Sequence, residues 1–151
     1  MKRICMVVIS LSLLFMLSGC RHTPKTITFM EGIGQITSEE IEKIIVSNGN
    51  TGKWHETTDT RIINEALESL AEQTFTRAED QTSHKGWVYS INMYCKNEKG
   101  YINYTLNSGF TAEEGCRKKV IEGRYLADDP DKVESILEDL YNQLKAQPDK
   151  S

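Results

Sequence analysis

From Trp87 to Lys96 the chain alternates with a period of two. Trp87, Tyr89, Ile91, Met93 and Cys95 share one side, and Val88, Ser90, Asn92, Tyr94 and Lys96 share the other. Successive strand side chains point to opposite faces, so this stretch predicts a half-buried strand and a sheet that needs a cover. Asn97-Glu98-Lys99-Gly100 is turn chemistry, and Tyr101 to Asn107 reads as the returning strand. Closing a four-residue turn sets Lys96 opposite Tyr101, Cys95 opposite Ile102, Met93 opposite Tyr104 and Ile91 opposite Leu106. Apolar then meets apolar, while Asn92 meets Thr105 and Ser90 meets Asn107 on a solvated face.

Two helices offer the cover. Asp59 can cap a helix in which Ile62, Ile63, Ala66, Leu67 and Leu70 recur at three-to-four spacing. Asp128-Asp129-Pro130-Asp131 opens a second, with Val133, Ile136, Leu137, Leu140 and Leu144 as its apolar stripe. Ahead of the first helix, Ile41 to Ser47 is rich in β-branched residues and runs into the dense turn Asn48 to Gly52. Lys53 to Thr57 then returns, carrying Trp54. A capping box at Thr37 and Glu40 supports a competing helix here, but the turn favours a hairpin. Residues 76–86 read as a surface loop and 108–115 as a connection. Arg117 to Ile121 and Arg124 to Ala127 read as a last hairpin around Glu122-Gly123. Hairpin, helix, meander, helix is an α+β pattern: an antiparallel β-sheet with two amphipathic helices packed on one face. The single domain is expected over 38–147, followed by a disordered tail at 148–151.

The N-terminus is a different kind of segment. Lys2 and Arg3 precede an apolar run from Ile4 to Leu17, interrupted only by Ser10 and Ser12. As a helix those fourteen residues span about 21 Å, short of the ~30 Å hydrocarbon core. The run closes on Leu17-Ser18-Gly19-Cys20. Positive start, short apolar core and small residues before a cysteine together resemble the signal peptide and lipobox of bacterial lipoproteins. The resemblance implies cleavage between Gly19 and Cys20, diacylglyceryl addition at the Cys20 sulfur, and at least two acyl chains, palmitate among them, on the mature terminus. Two chains are what stable anchoring requires. Residues 1–19 are then a leader, residues 20–37 a lipidated N-terminus and tether (though Thr26-Ile27-Thr28-Phe29 alternates and could instead be a short strand), and the location is the extracytoplasmic face of the cell membrane. The body, about residues 39–146, also resembles small extracytoplasmic lipoprotein domains of Gram-positive bacteria. That likeness rests on the Asn48–Gly52 turn, Gly86-Trp87 and Glu122-Gly123-Arg124-Tyr125.

Loss of Lys2 and Arg3 with the leader leaves 16 of the 18 basic residues against 22 acidic ones, a net charge of −6. That sign argues against nucleic acid as a partner. Arg21, His22 and Lys25 form only a small basic collar beside the anchor.

Two cysteines remain in the body. In the register above, Cys95 lies by the Asn97 turn on the apolar face, while Cys116 lies near the far end of a Tyr101–Phe110 strand. That is beyond the ~7 Å between Cα atoms that a disulfide tolerates, so two free thiols are expected, while an even pair in an oxidising compartment keeps the Cys95–Cys116 disulfide as the alternative. His55 and His84 belong to no HExxH, Ser-His-Asp or Cys-His arrangement and read as surface or satisfied histidines. Asp128, Asp129 and Asp131 lack the spacing of a calcium loop and read as helix capping. Gly32-Ile33-Gly34 has neither the strand nor the helix that a phosphate cradle needs. The sequon Asn103-Tyr104-Thr105 lies inside a strand. Trp54, Trp87, Tyr89, Tyr94, Tyr101 and Tyr104 read as core and cross-strand pairs rather than a ligand platform. No catalytic residue, cofactor or metal site is expected. The functional reading is a non-enzymatic binding module of the envelope, held to the membrane through Cys20 and recognising an unidentified envelope protein or ligand. The alternative is an envelope enzyme, accessory or inhibitor whose site assembles only in three dimensions.

Overall fold

The computed structural model describes residues 23–82, 86–96, 100–112 and 120–147. Two antiparallel sheets and two long helices share one core, an α+β fold. The larger sheet has the order β3–β2–β5–β6–β7, from β2 (Ile41–Asn48), β3 (Lys53–Thr57), β5 (Tyr89–Cys95), β6 (Tyr101–Thr105) and β7 (Gly109–Ala112). The smaller has the order β1–β4–β8, from β1 (Thr26–Thr28), β4 (Thr74–Arg77) and β8 (Tyr125–Ala127). Helices α2 (Thr60–Ala71) and α3 (Pro130–Lys145) pack together on one face of the larger sheet.

The hairpin of β2 and β3 forms as expected, with Val46 opposite His55 and Ser47 opposite Trp54. The competing capping box is also real. Thr37 N–H donates to Glu40 Oε2 at 3.0 Å, but it closes a single 3₁₀ turn (Ser38–Glu40) before the chain extends. The β-branched run that follows suits a pleated surface better than a helix. Both long helices start on their aspartates. Asp59 Oδ1 accepts from Arg61 N–H at 2.9 Å, and Asp129 Oδ1 from Lys132 N–H at 3.0 Å. Their stripes bury Ile62, Ile63, Leu67 and Leu70 from α2 and Val133, Leu137, Leu140 and Leu144 from α3.

Four expectations are corrected. The first is the tether. Residues 26–36 belong to the body: β1 pairs with β4, a short helix α1 (Phe29–Gly32) follows, and Ile27, Phe29, Ile33 and Ile36 are buried. Phe29 sits at the centre of an aromatic cluster, its ring 5.6 Å from Tyr104, 5.7 Å from Phe110 and 6.2 Å from Phe75. Four spaced apolar residues without a long period carry little signal in sequence, yet they fill the seam between the sheets.

Second, the β5–β6 register is displaced by two residues. Met93 faces Ile102, Ile91 faces Tyr104, Asn92 faces Asn103, and Tyr94 faces Tyr101. A slip of two preserves every side chain's face, which is why apolar matching could not detect it.

Third, there is no continuous Tyr101–Phe110 strand. Ser108 N–H donates to the Thr105 carbonyl at 2.9 Å, closing a tight turn in which Asn107 takes φ 70°. The chain reverses into β7, setting Ala112 opposite Ile102. Gly109, at φ 95°, is required there: a Cβ would lie 2.2 Å from the Gly123 carbonyl oxygen. Cys95, expected as a free thiol, is disulfide-bonded. The argument against a bridge relied on the strand that does not exist. Cys5, Cys20 and Cys116 lie outside the described residues.

Fourth, Tyr125–Ala127 pairs with β4 and not with a strand ending at Ile121. Phe75 faces Ala127, while Ile121 N–H donates to the Gly32 carbonyl at 3.0 Å. The segment read as the start of a surface loop is in part β4, whose Phe75 is fully buried. Of that proposed hairpin, Arg117 lies outside the described residues, as do the leader, His84, the Asn97 turn and residues 148–151.

Candidate functional site

The larger sheet has two unlike faces. Ile44, Val46, Ile91, Met93, Ile102 and Tyr104 point toward the helices and are buried. The opposite parity points away from both α2 and α3. Strand pairing arranges that open face in three rows. Trp54, Ser47, Ser90 and Thr105 form one; Ile45, Asn92, Asn103 and Thr111 form the next; Lys43, Tyr94 and Tyr101 form the third.

The open face carries its own bonding network. Thr105 Oγ1 donates to Asn103 Oδ1 at 2.8 Å, and Asn103 Nδ2 donates to Asn92 Oδ1 at 2.5 Å. The ladder fixes the amide orientations across β5 and β6 and occupies the Asn103 side chain of the sequon. In the third row the rings of Tyr94 and Tyr101 lie 5.1 Å apart at 36°. Lys43 Nζ stands 5.0 Å from the Tyr94 ring centre and 3.1 Å from Glu56 Oε2. The lysine is therefore matched by a carboxylate and an aromatic face, and the three rows carry no unmatched charge among the described residues. Ser90 is the most buried residue of its row, at 6% exposure, while Trp54 at the row's end is 58% exposed. The face is thus a polar centre with aromatic borders.

The six aromatics of the sequence reading divide. Tyr89 and Tyr104 are core. Tyr94 and Tyr101 border the open face, and Trp54 and Trp87 are exposed. Parity would have found Trp54: in Lys53–Thr57 it alternates with the inward His55 and Thr57, so it must point outward.

A groove of about 400 Å³ lies between α2 and α3, lined by Glu65, Ala66, Ser69, Ile136, Asp139, Leu140 and Gln143. Its Glu65 carboxylate is engaged by Arg61 at 2.8 Å. Among the described residues no cluster of histidine, cysteine, aspartate and glutamate is arranged to hold a metal ion.

Among the remaining candidates, the aspartates and Gly32 have structural roles. Asp129 caps α3, whereas Asp128 accepts from Thr74 Oγ1 at 2.7 Å and Thr76 Oγ1 at 2.8 Å, tying β4 to the start of that helix. Gly32 is a packing glycine, since a Cβ there would meet the Phe110 ring at 2.6 Å. His55 is neither a surface nor a satisfied histidine. Its ring meets Tyr141 edge-on at 4.8 Å, and its buried Nε2 has no partner among the described residues. Tyr104 Oη is likewise buried without a partner, and burial raises its phenol well above the ordinary value. Burial also raises Tyr89, reinforced by the Glu138 charge, and Tyr125, where Arg77 opposes the shift. Gly19, Cys20 and His84 lie outside the described residues.

No family model matches the chain, and no curated protein matches it. Among solved structures, it is similar to one described as "Putative Lipoprotein from Clostridium perfringens", at 19% identity over 66% of this chain and 84% of that chain, with a TM-score of 0.38. At that degree of likeness, function has to be argued from the residues of this chain.

Proposed function

We propose that this protein is a lipid-anchored extracytoplasmic lipoprotein whose open sheet face binds an envelope component without catalysing a reaction. The anchor rests on the succession of Lys2-Arg3, the apolar run and Leu17-Ser18-Gly19-Cys20 in the sequence, with Cys20 as the lipidated residue. No helix among the described residues is long and apolar enough to cross a membrane. The observation that carries the binding role is the uneven use of the larger sheet. One face is closed by two helices; among the described residues the other is left open, with polar residues oriented by the Asn92–Asn103–Thr105 ladder and bordered by Tyr94 and Tyr101. Oriented amides beside half-buried aromatic rings are the chemistry of a recognition surface.

Two measurements test the two halves. Cys20→Ser is expected to abolish palmitate labelling and release the protein from the membrane fraction. Retention on the membrane without label removes the anchor. For binding, a photo-crosslinking residue placed at Tyr101 is expected to give one discrete adduct in intact cells, and one placed at Glu68 on α2 is expected to give none. Adducts only from Glu68, or from neither, overturn the assignment of the open face.

A further inference from the structure

One rim of the fold joins the place where the N-terminal segment enters the body to both exposed tryptophans. A run of hydrogen bonds traces it. Gly49 N–H donates to the Val88 carbonyl at 2.7 Å, and Leu106 N–H to the Tyr89 carbonyl at 3.0 Å. Arg124 Nε donates to the Asn107 carbonyl at 3.3 Å, and Tyr125 Oη to the Pro24 carbonyl at 2.8 Å. The β2–β3 hairpin tip, the start of β5, the β6–β7 turn, β8 and Pro24 therefore lie along one end of the molecule.

Trp54 follows that hairpin tip, and Trp87 packs its indole against Gly49, where a Cβ would come within 2.8 Å of Trp87 Cε3. They are the large hydrophobic side chains left exposed among the described residues, at 58% and 39%. Among the described residues Lys25, Lys53, Arg77 and Arg124 share this end with Glu79, Asp80 and Glu122, a small positive excess to which Arg21 beside the anchor adds. The charge is modest, and the indoles supply the apolar part of any attraction to a surface.

The covalent chain says which surface. Cys20 precedes Pro24 by four positions, and even fully extended that span covers only about 14 Å. An acylated Cys20 holds this rim, and no other part of the body, against the headgroup layer. Indole rings favour that layer, where one edge stays wet while the ring body leaves water. From β3 to β7 the rim is about 19 Å wide at the usual strand spacing, so both ends can meet one flat surface.

We propose that Trp54 and Trp87 dock into the headgroup region of the membrane that carries the lipid anchor. The docking fixes the strands of the larger sheet along the membrane normal and turns its open face sideways. The proposal rests on the lipid-anchor reading, and the experiment separates the two.

Because the chain contains two tryptophans, fluorescence excited to the red of its six tyrosines reads them alone. The full acylated protein is placed on vesicles of phosphatidylglycerol and phosphatidylcholine in equal parts, with and without lipid spin-labelled near the top of its acyl chain. Expected are flotation, a blue shift relative to Cys20→Ser protein in buffer, and loss of about half of the emission to the spin label. Trp54→Phe and Trp87→Phe, each with one indole left, are expected to keep that quenching. Flotation without quenching overturns the docking and leaves the anchor standing. Failure to float removes the anchor and the docking with it. A blue shift of Cys20→Ser protein that grows with protein concentration in the absence of lipid assigns the indoles to contact between copies, and also overturns the proposal.

Discussion

Ala112 lies opposite Ile102, and Ile102 lies opposite Met93, so β7 runs toward the end of the sheet at which Cys95 closes β5. Cys116 is four positions beyond Ala112 in the chain. On the proposed anchor reading Cys5 leaves with the leader and Cys20 is acylated, so Cys116 is the partner expected for the Cys95 bridge. The mature protein, unreduced, is expected to weigh two hydrogens less than its reduced form. Cys116→Ser should abolish that difference and free the Cys95 thiol for alkylation. A loop of about twenty residues gives up roughly 3 kcal/mol when its bridge is lost, which a denaturant midpoint reads. An unreduced Cys116→Ser protein that keeps Cys95 inaccessible to alkylation under denaturing conditions would contradict this pairing.

Tyr104 presents a different test, because its hydroxyl is buried without a partner among the described residues while its ring sits 4.9 Å from Phe110 and 5.2 Å from Phe75. Tyr104→Phe keeps the ring and removes the orphan, so a gain of about 1–2 kcal/mol at neutral pH is expected. The alkaline side has a definite sign. The folded phenol holds its proton above the ordinary 10.0, whereas the unfolded one releases it there. The native state therefore loses stability as pH rises past about 10, by up to ~1.4 kcal/mol per pH unit for this group. The variant should lose stability more gently over the same range, with Tyr89 and Tyr125 keeping part of the slope. Equal slopes in urea titrations would show that Tyr104 titrates normally.

Phe29 separates a tether from a core. Were residues 20–37 only a leash, Phe29→Ala would change little. Because the ring is fully buried against three other aromatics, the substitution is expected to cost about 3–5 kcal/mol. An unmoved denaturant midpoint would detach residues 26–36 from the body.

Much of the architecture was legible because it is written at short range. The Asp59 and Asp129 caps, the three-to-four spacing of α2 and α3, and the turn after Asn48 each involve residues within a few positions of one another. The β5–β6 hairpin was legible in kind but not in register. Pairing Met93 with Ile102 or with Tyr104 buries the same side chains on the same face, so patterning cannot choose between them. The second sheet was missed for a related reason. Thr26–Thr28 shows only as a brief alternation open to either reading, Thr74–Arg77 is too short to announce itself, and the two are about fifty residues apart.

Hydrophobic period, caps and turn residues settle the fold class, and the short apolar run closing on Leu17-Ser18-Gly19-Cys20 supports a membrane address, because each depends on neighbours along the chain. The folded arrangement alone sets which residues share a surface. It places Phe29 in the core and leaves Tyr94 and Tyr101 beside an oriented amide ladder. It also puts Trp54, Trp87 and Pro24 along one rim. Those relations depend on strand order and on the reversal at Asn107, which join segments with no correlated pattern in the chain.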